Sequence, residues 1–157
     1  MSVRIFLIAF AGVGLLVLPR AQDRILYNPS HSIPLGFYER IDGPAREGAL
    51  VTVRARDVAA DYACARNFCD RADRFIKRVA AMSGARVCAG LSYVSVAGVR
   101  VPRAKQDGAG RALPQWQGCR ALADDEVFLL GDTADSFDGR YWGPTPSRLI
   151  EGVWRPL

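Results

Sequence analysis

Apolar positions are spread unevenly along the chain. Residues 5–18 form one stretch without a charge, whereas from Pro19 onward apolar residues come in short runs divided by Gly, Pro, Asn and Asp. As a helix, the 14 residues of that first stretch span about 21 Å, short of a hydrocarbon core of about 30 Å. Arg4 can snorkel, and residues 1–3 extend the apolar end. Val17-Leu18-Pro19 is a poor cleavage site for a signal peptide. Residues 1–20 therefore read as an uncleaved membrane anchor in preference to a cleaved signal segment, and residues 21–157 as one domain.

Inside that domain, residues 20–48 are dense in turn formers: Asn28-Pro29-Ser30, Ile33-Pro34-Leu35-Gly36 and Asp42-Gly43-Pro44. Residues 49–54 alternate and are rich in Val and Thr, which predicts a strand. Asp57 is expected to cap a short helix over 58–66. Strands are expected at 74–80, 86–89, 91–96 and 99–102, the last two forming a hairpin around Ala97-Gly98. Residues 103–120 read as a Gly/Pro-rich loop, and 126–130 and 150–154 as short apolar strands. The expected class is mostly β, an antiparallel sheet domain behind one N-terminal hydrophobic helix.

Composition narrows the function classes. A chain of 157 residues, 50% hydrophobic and 24% charged, is neither disordered nor a many-pass membrane protein. The net charge is +5, but the basic residues are scattered, without the basic-plus-aromatic texture of a nucleic-acid binder. The same charge sits well against anionic lipid. Cys64, Cys69, Cys88 and Cys119 make an even count behind an export-like segment, which points to an oxidising compartment and two disulfides. Of the three pairings, Cys64–Cys69 with Cys88–Cys119 is preferred. The C-x4-C spacing is wrong for a zinc knuckle and His31 is the sole histidine, so neither a metal site nor a cofactor is expected.

All but two of the 21 basic residues are arginine. One exception, Lys77, lies in Arg74-Phe75-Ile76-Lys77-Arg78-Val79-Ala80, where a strand puts Phe75, Lys77 and Val79 on one face. Apolar neighbours disfavour the ammonium. A neutral lysine is a general base for a serine hydroxyl, which arginine is not. The same placement equally suits a lysine whose stem packs while its head reaches water. Ser32 sits in Ser30-His31-Ser32-Ile33-Pro34, a segment stiffened by its proline. In extended geometry His31 points away from its neighbour, so it reads as an exposed loop residue and not as the base. In residues 131–144, Asp138 and Arg140 are spaced to brace a long loop, and the aromatics and glycines to line a groove.

Asn28-x-Ser30-x-Ser32-Ile33-Pro34-x-Gly36-x-Tyr38, the run from Lys77-Arg78-Val79-Ala80 to Val87, and Gly131-Asp132 through Ser136-Phe137-Asp138-Gly139-Arg140-Tyr141-Trp142-Gly143-Pro144 resemble, in this order, the conserved segments of signal peptidase I. Gly110-Arg111-x-Leu113-Pro114-x-Trp116-x-Gly118-Cys119 is more similar to the TraF-type conjugative-transfer peptidases of the same Ser–Lys superfamily. The resemblance implies a signal-peptidase-like fold, Ser32 as nucleophile and Lys77 as general base. It also implies an oxyanion hole from the Ser30 hydroxyl and the Ser32 N–H, and Asp138 and Arg140 as a supporting pair. Two departures stand out. The family's Leu-Pro-Gly-Asp turn is Met82-Ser83-Gly84-Ala85 here. Its Asp-Ser-Arg triplet is Asp138-Gly139-Arg140, which leaves Ser136 to stand in for the serine credited with orienting the lysine. The implied activity is that of a serine endopeptidase processing an exported precursor, the pilin of a conjugative type IV secretion system, with hydrolysis and cyclisation both open. The implied location is the inner membrane with the domain on the periplasmic side, or the periplasm if the N-terminal segment is cleaved. A general leader peptidase and a non-catalytic, disulfide-containing periplasmic assembly factor are the alternatives.

Overall fold

The computed structural model describes residues 24–157; the anchor expected over residues 1–20 lies outside the described residues. Short β-branched and aromatic runs form strands wherever two faces of the chain find apolar cover. In chain order these are β1 (Ile25–Asn28), β2 (Gly36–Ile41), β3 (Leu50–Arg54), then helix α1 (Ala55–Cys64), β4 (Arg74–Ala81), β5 (Arg86–Ala89), β6 (Tyr93–Val96), β7 (Val99–Pro102), β8 (Gly118–Ala121) and β9 (Glu126–Leu130). The one-turn helix α2 (Gly139–Trp142), β10 (Thr145–Pro146), a 3₁₀ turn (Ser147–Leu149) and β11 (Ile150–Pro156) complete the chain.

The strands pair antiparallel throughout. A seven-stranded sheet runs β1-β2-β11-β3-β4-β9-β10, and a four-stranded sheet runs β7-β6-β5-β8. The architecture is therefore mostly β, as expected. Leu50, Val51, Thr52 and Val53 are all buried, so central β3 reads as a continuous apolar run and not as an alternation. Val51, Val53, Val79, Val127, Leu129 and Val153 pack as one cluster on the large sheet. Phe128 joins Val87, Val94, Val96 and Leu122 in a second cluster that ties the two sheets together. Ile33, Tyr38, Leu50, Ile76 and Trp154 form a third, with Trp154 Nε1 donating to the buried Thr52 hydroxyl at 2.9 Å.

Three local expectations change. The region read as turns contains β1 and β2, whose residues alternate poorly because Ile25, Tyr27 and Phe37 stay exposed. The 103–120 loop ends in β8, whose four residues are all exposed and carry no apolar period. The helix begins at Ala55, so Asp57 lies in its first turn, where the helix dipole favours it, and Arg54 occupies the N-cap without a side-chain capping bond. The hairpin around Ala97-Gly98 forms with Val96 opposite Val99.

Both expected disulfides are present. Cys64–Cys69 closes the turn that follows α1 across 5 residues. Cys88–Cys119 joins directly opposed residues of β5 and β8 across 31 residues. Because the restriction of the unfolded chain grows with loop length, removing Cys88–Cys119 is expected to cost about 4 kcal/mol and removing Cys64–Cys69 about 2 kcal/mol. Denaturant unfolding of the two double alanine variants checks this order.

Candidate active site

Ser32 is held by the loop between β1 and β2. The buried Asn28 organises that loop: its Nδ2 donates to the carbonyls of Ser30, Ile33 and Pro34 at 2.9, 3.0 and 3.1 Å, and its Oδ1 accepts from the Ser30 N–H at 3.1 Å. The Tyr38 hydroxyl donates to the Pro34 carbonyl at 2.5 Å, and Ile33 is fully buried beneath. The Ser32 carbonyl accepts from the Asp132 N–H at 2.6 Å. Ser32 is thus fixed from its own loop and from residues 131–138 across the cleft.

Lys77 comes from β4, which pairs with β3 and β9 in the middle of the large sheet, with Val51 opposite the lysine. The side chain is only 3% exposed, and its Nζ donates to Ser32 Oγ at 2.7 Å. The stem packs, as the strand pattern requires, and the head turns to the serine, away from water. Burial pushes its pKa down from 10.5 to about 8, against the pull of Asp138, Asp132 and Asp135, with Arg140 assisting the decrease. The Ser30 hydroxyl donates to Ser32 Oγ at 3.1 Å, and the Ser32 N–H donates to Ser30 Oγ at 3.3 Å. His31 is exposed, and the amine bonded to the Ser32 hydroxyl is that of Lys77.

Asp138 and Arg140 brace the opposing loop while almost wholly buried, at 0% and 2% exposure. Arg140 donates to both Asp138 oxygens, at 2.9 and 2.7 Å, and to the carbonyls of Thr133 and Ala134 at 2.7 and 2.8 Å. Asp138 also caps α2 by accepting from the Arg140 N–H, and accepts from the Gly131 N–H at 2.7 Å. Gly131 has no room for a side chain: a Cβ would lie 2.1 Å from Ser136 Oγ and 2.9 Å from the Ser32 carbonyl. Ser136 itself is buried against this glycine, and its hydroxyl has no partner among the described residues. On the outside, Arg78 of β4 grips Asp132 with two bonds of 2.9 and 2.7 Å.

Two cavities open on the Ser32–Lys77 pair. One of about 320 Å³ is lined by Leu26, Tyr27, Phe68, Phe75 and Ile76, and one of about 420 Å³ by Ser30, His31, Tyr62, Asp135 and Phe137. The motif reading missed Tyr62, Phe68 and Asp135. Tyr62 and Phe68 come from α1 and its disulfide-closed turn, and Tyr62 stacks on Phe137. The only signal for them is an aromatic on each side of Cys64, which by itself says nothing about a cleft.

Two stability effects follow. Lys77 titrates near 8 in the fold and at its ordinary 10.5 when unfolded. Above 10.5 both states hold the neutral amine. Between 10.5 and 8 the unfolded chain takes up the proton first, so stability drops as pH falls, and below 8 the penalty is constant. Lys77→Met is therefore expected to raise stability by roughly 3 kcal/mol at pH 7, with the gain vanishing as pH rises from 8 toward 10.5; thermal melts across that range read it. Asp138→Asn leaves the Arg140 guanidinium buried and uncompensated, an expected loss of about 3–5 kcal/mol by denaturant titration.

The profile of the family described as "Signal peptidase, peptidase S26" matches residues 5–156. A "Plasmid transfer protein TraF" of Escherichia coli is 34% identical over 166 residues, covering 96% of this chain and 92% of the relative. A "Probable conjugal transfer protein TraF" of Sinorhizobium fredii is 36% identical, covering 83% and 73%. Among solved structures, a signal peptidase I from Enterococcus faecalis V583 aligns with a TM-score of 0.41 at 18% identity, over 72% of this chain and 97% of that one. With a profile spanning nearly every residue and relatives at a third identity along most of their length, the chain belongs to the signal peptidase family, peptidase S26, alongside the plasmid-transfer TraF proteins.

Proposed function

We propose that the protein is a serine endopeptidase with a Ser–Lys dyad, held at the inner membrane by residues 1–20 with its β domain on the periplasmic side, and that it processes the pilin precursor of a conjugative type IV secretion system. The observation that carries the reading is the 2.7 Å bond between a buried Lys77 Nζ and Ser32 Oγ. Neutral Lys77 takes the hydroxyl proton as Ser32 Oγ attacks the scissile carbonyl, and then returns it to the departing amine. The Ser32 N–H, loosely engaged at 3.3 Å with Ser30 Oγ, exchanges that partner for the developing oxyanion, and the Ser30 hydroxyl is the second donor. Asp138 and Arg140 act at one remove, by holding the loop whose Asp132 N–H fixes the Ser32 carbonyl. The acyl-enzyme is then resolved by water or by an amine. The pilin substrate is supported by the kinship with plasmid-transfer proteins.

Mass spectrometry of the candidate pilin from the same operon, co-expressed with each form of the protein, tests the reading. Wild type is expected to trim the pilin, and Ser32→Ala and Lys77→Arg to leave it uncut, since arginine stays charged. A trimmed mass one water short indicates cyclisation and a full linear mass indicates hydrolysis. Processing by both variants overturns the dyad and returns the protein to the role of an assembly factor. Two further outcomes are expected. Cleavage rate rises with pH through about 8 as Lys77 loses its proton and then levels, and Ser30→Ala lowers kcat by about 10² with KM little changed.

A further inference from the structure

The cavity of about 320 Å³ extends from Ser32 and Lys77 back along β4 past Ile76 and Phe75 to Ala72. Phe68 lies against Phe75 in its wall, ring centroids 5.3 Å apart. The polar groups of that wall are already engaged. Arg74 Nε donates to Glu151 at 2.7 Å, Asp73 accepts from the Asp70 N–H at 2.8 Å, and Asn28 holds the carbonyls of its own loop. What the cavity offers is therefore carbon surface from Leu26, Phe68, Phe75 and Ile76. The chain fixes Phe68 twice. Helix α1 ends in a two-bond cap: Asn67 takes a φ of 52°, which asparagine tolerates, the Phe68 N–H donates to the Ala63 carbonyl at 2.9 Å, and the Asn67 N–H to the Cys64 carbonyl at 3.1 Å. Cys64–Cys69 then closes the same turn around the ring. Yet Phe68 is half-buried and belongs to none of the three apolar clusters. A ring held this firmly outside the core presents its surface to the cavity.

We propose that Phe68 is a specificity-determining residue, set in place by Cys64–Cys69, and that it selects a large apolar side chain two residues before the one whose carbonyl Ser32 attacks. The inference rests on the Ser–Lys peptidase reading. Alternate side chains of an extended peptide share a face about 7 Å apart. Strand β4 has the same rise, so one such step carries a substrate lying along it from beside Lys77 to beside Phe75 and the Phe68 ring. A cavity of about 150 Å³ already holds benzene. The space here therefore takes leucine or phenylalanine, whereas alanine leaves it part empty. A carboxylate placed there loses its water and finds no free donor.

Acetyl-X-Ala-Ala p-nitrophenyl esters, with X alanine, leucine, phenylalanine or glutamate, fix which carbonyl is attacked. Release of p-nitrophenol by the full-length protein in detergent gives kcat/KM for each, and ratios between esters do not depend on the fraction of folded enzyme. Wild type is expected to favour leucine over alanine about 20-fold and to rank glutamate last. Phe68→Ala is expected to bring the leucine-to-alanine ratio to about 2, and Phe68→Leu to keep most of it. Cys64→Ala/Cys69→Ala, which frees the turn but keeps the ring, is expected to lower the ratio about five-fold. Acetyl-Ala-Ala-Gly against acetyl-Ala-Ala-Ala esters report the residue beside the cut, and their ratio is expected to hold its wild-type value in every variant. A leucine-to-alanine ratio unchanged in Phe68→Ala, or an equal change beside the cut, overturns the role of Phe68 while the peptidase reading stands. An unchanged ratio in the double cysteine variant overturns the part given to the disulfide. Ester turnover that survives Ser32→Ala in full overturns the peptidase reading and the proposal with it.

Discussion

The site depends on keeping one amine out of water. Lys77 stands in a central strand of the large sheet, where solvation of an ammonium is lost and the neutral form gains. Asp138, Asp132 and Asp135 all favour the charged form and so work against the burial that pushes the pKa down to about 8. Arg140 and Arg78 offset that pull by occupying Asp138 and Asp132. Arg140 has two consequences at once: it neutralises Asp138, the carboxylate with the strongest pull on Lys77, and it ties down the carbonyls of the loop that bears it. The electrostatic balance and the rigidity of the loop therefore share the same side chains.

The remaining parts of the fold serve as braces for these two loops. Trp116, from the long connection before β8, donates to the Gly139 carbonyl at 3.1 Å and lies over Gly143, so it holds both ends of α2. Asp107, from the same connection, binds Arg66 at 2.7 Å, and Arg66 in turn lies 3.6 Å over the Tyr62 ring. The connection thus reaches α1 on one side and α2 on the other. Few of its residues are apolar or buried, and its order comes from polar contacts of specific side chains.

That distribution explains which features are legible in the chain. Lys77 stands out because its charge is placed among Phe75, Ile76 and Val79, and in a population of arginines only a lysine can lose it. Ser32 stands out through Pro34 and the turn chemistry of Asn28, whose hydrogen bonds reach only six residues ahead. Asp138 and Arg140 are two apart, so their contact is local. By contrast Tyr62, Phe68 and Asp135 acquire meaning only when α1 and the 131–138 loop meet Ser32 and Lys77, and nothing in their neighbours announces that meeting. β8 is hidden for a related reason: it is a strand by pairing with β5, with Cys119 set against Cys88, and not by any pattern of its own.

The order of strands also bears on when such a site comes into being. β11, the last strand, lies between β2 and β3, with Val153 opposite Ile41 on one side and Val51 on the other. Within the sheet, the hairpin that carries Ser32 is joined to the strand that carries Lys77 through β11 and β3. Until β11 has been made, Ser32 and Lys77 belong to separate pieces with an unfilled gap in the sheet between them. Pairing across such separations is slow relative to local structure. In a growing chain the Ser32–Lys77 pair is therefore unmade, and the proposed peptidase site arrives last, together with the completed sheet.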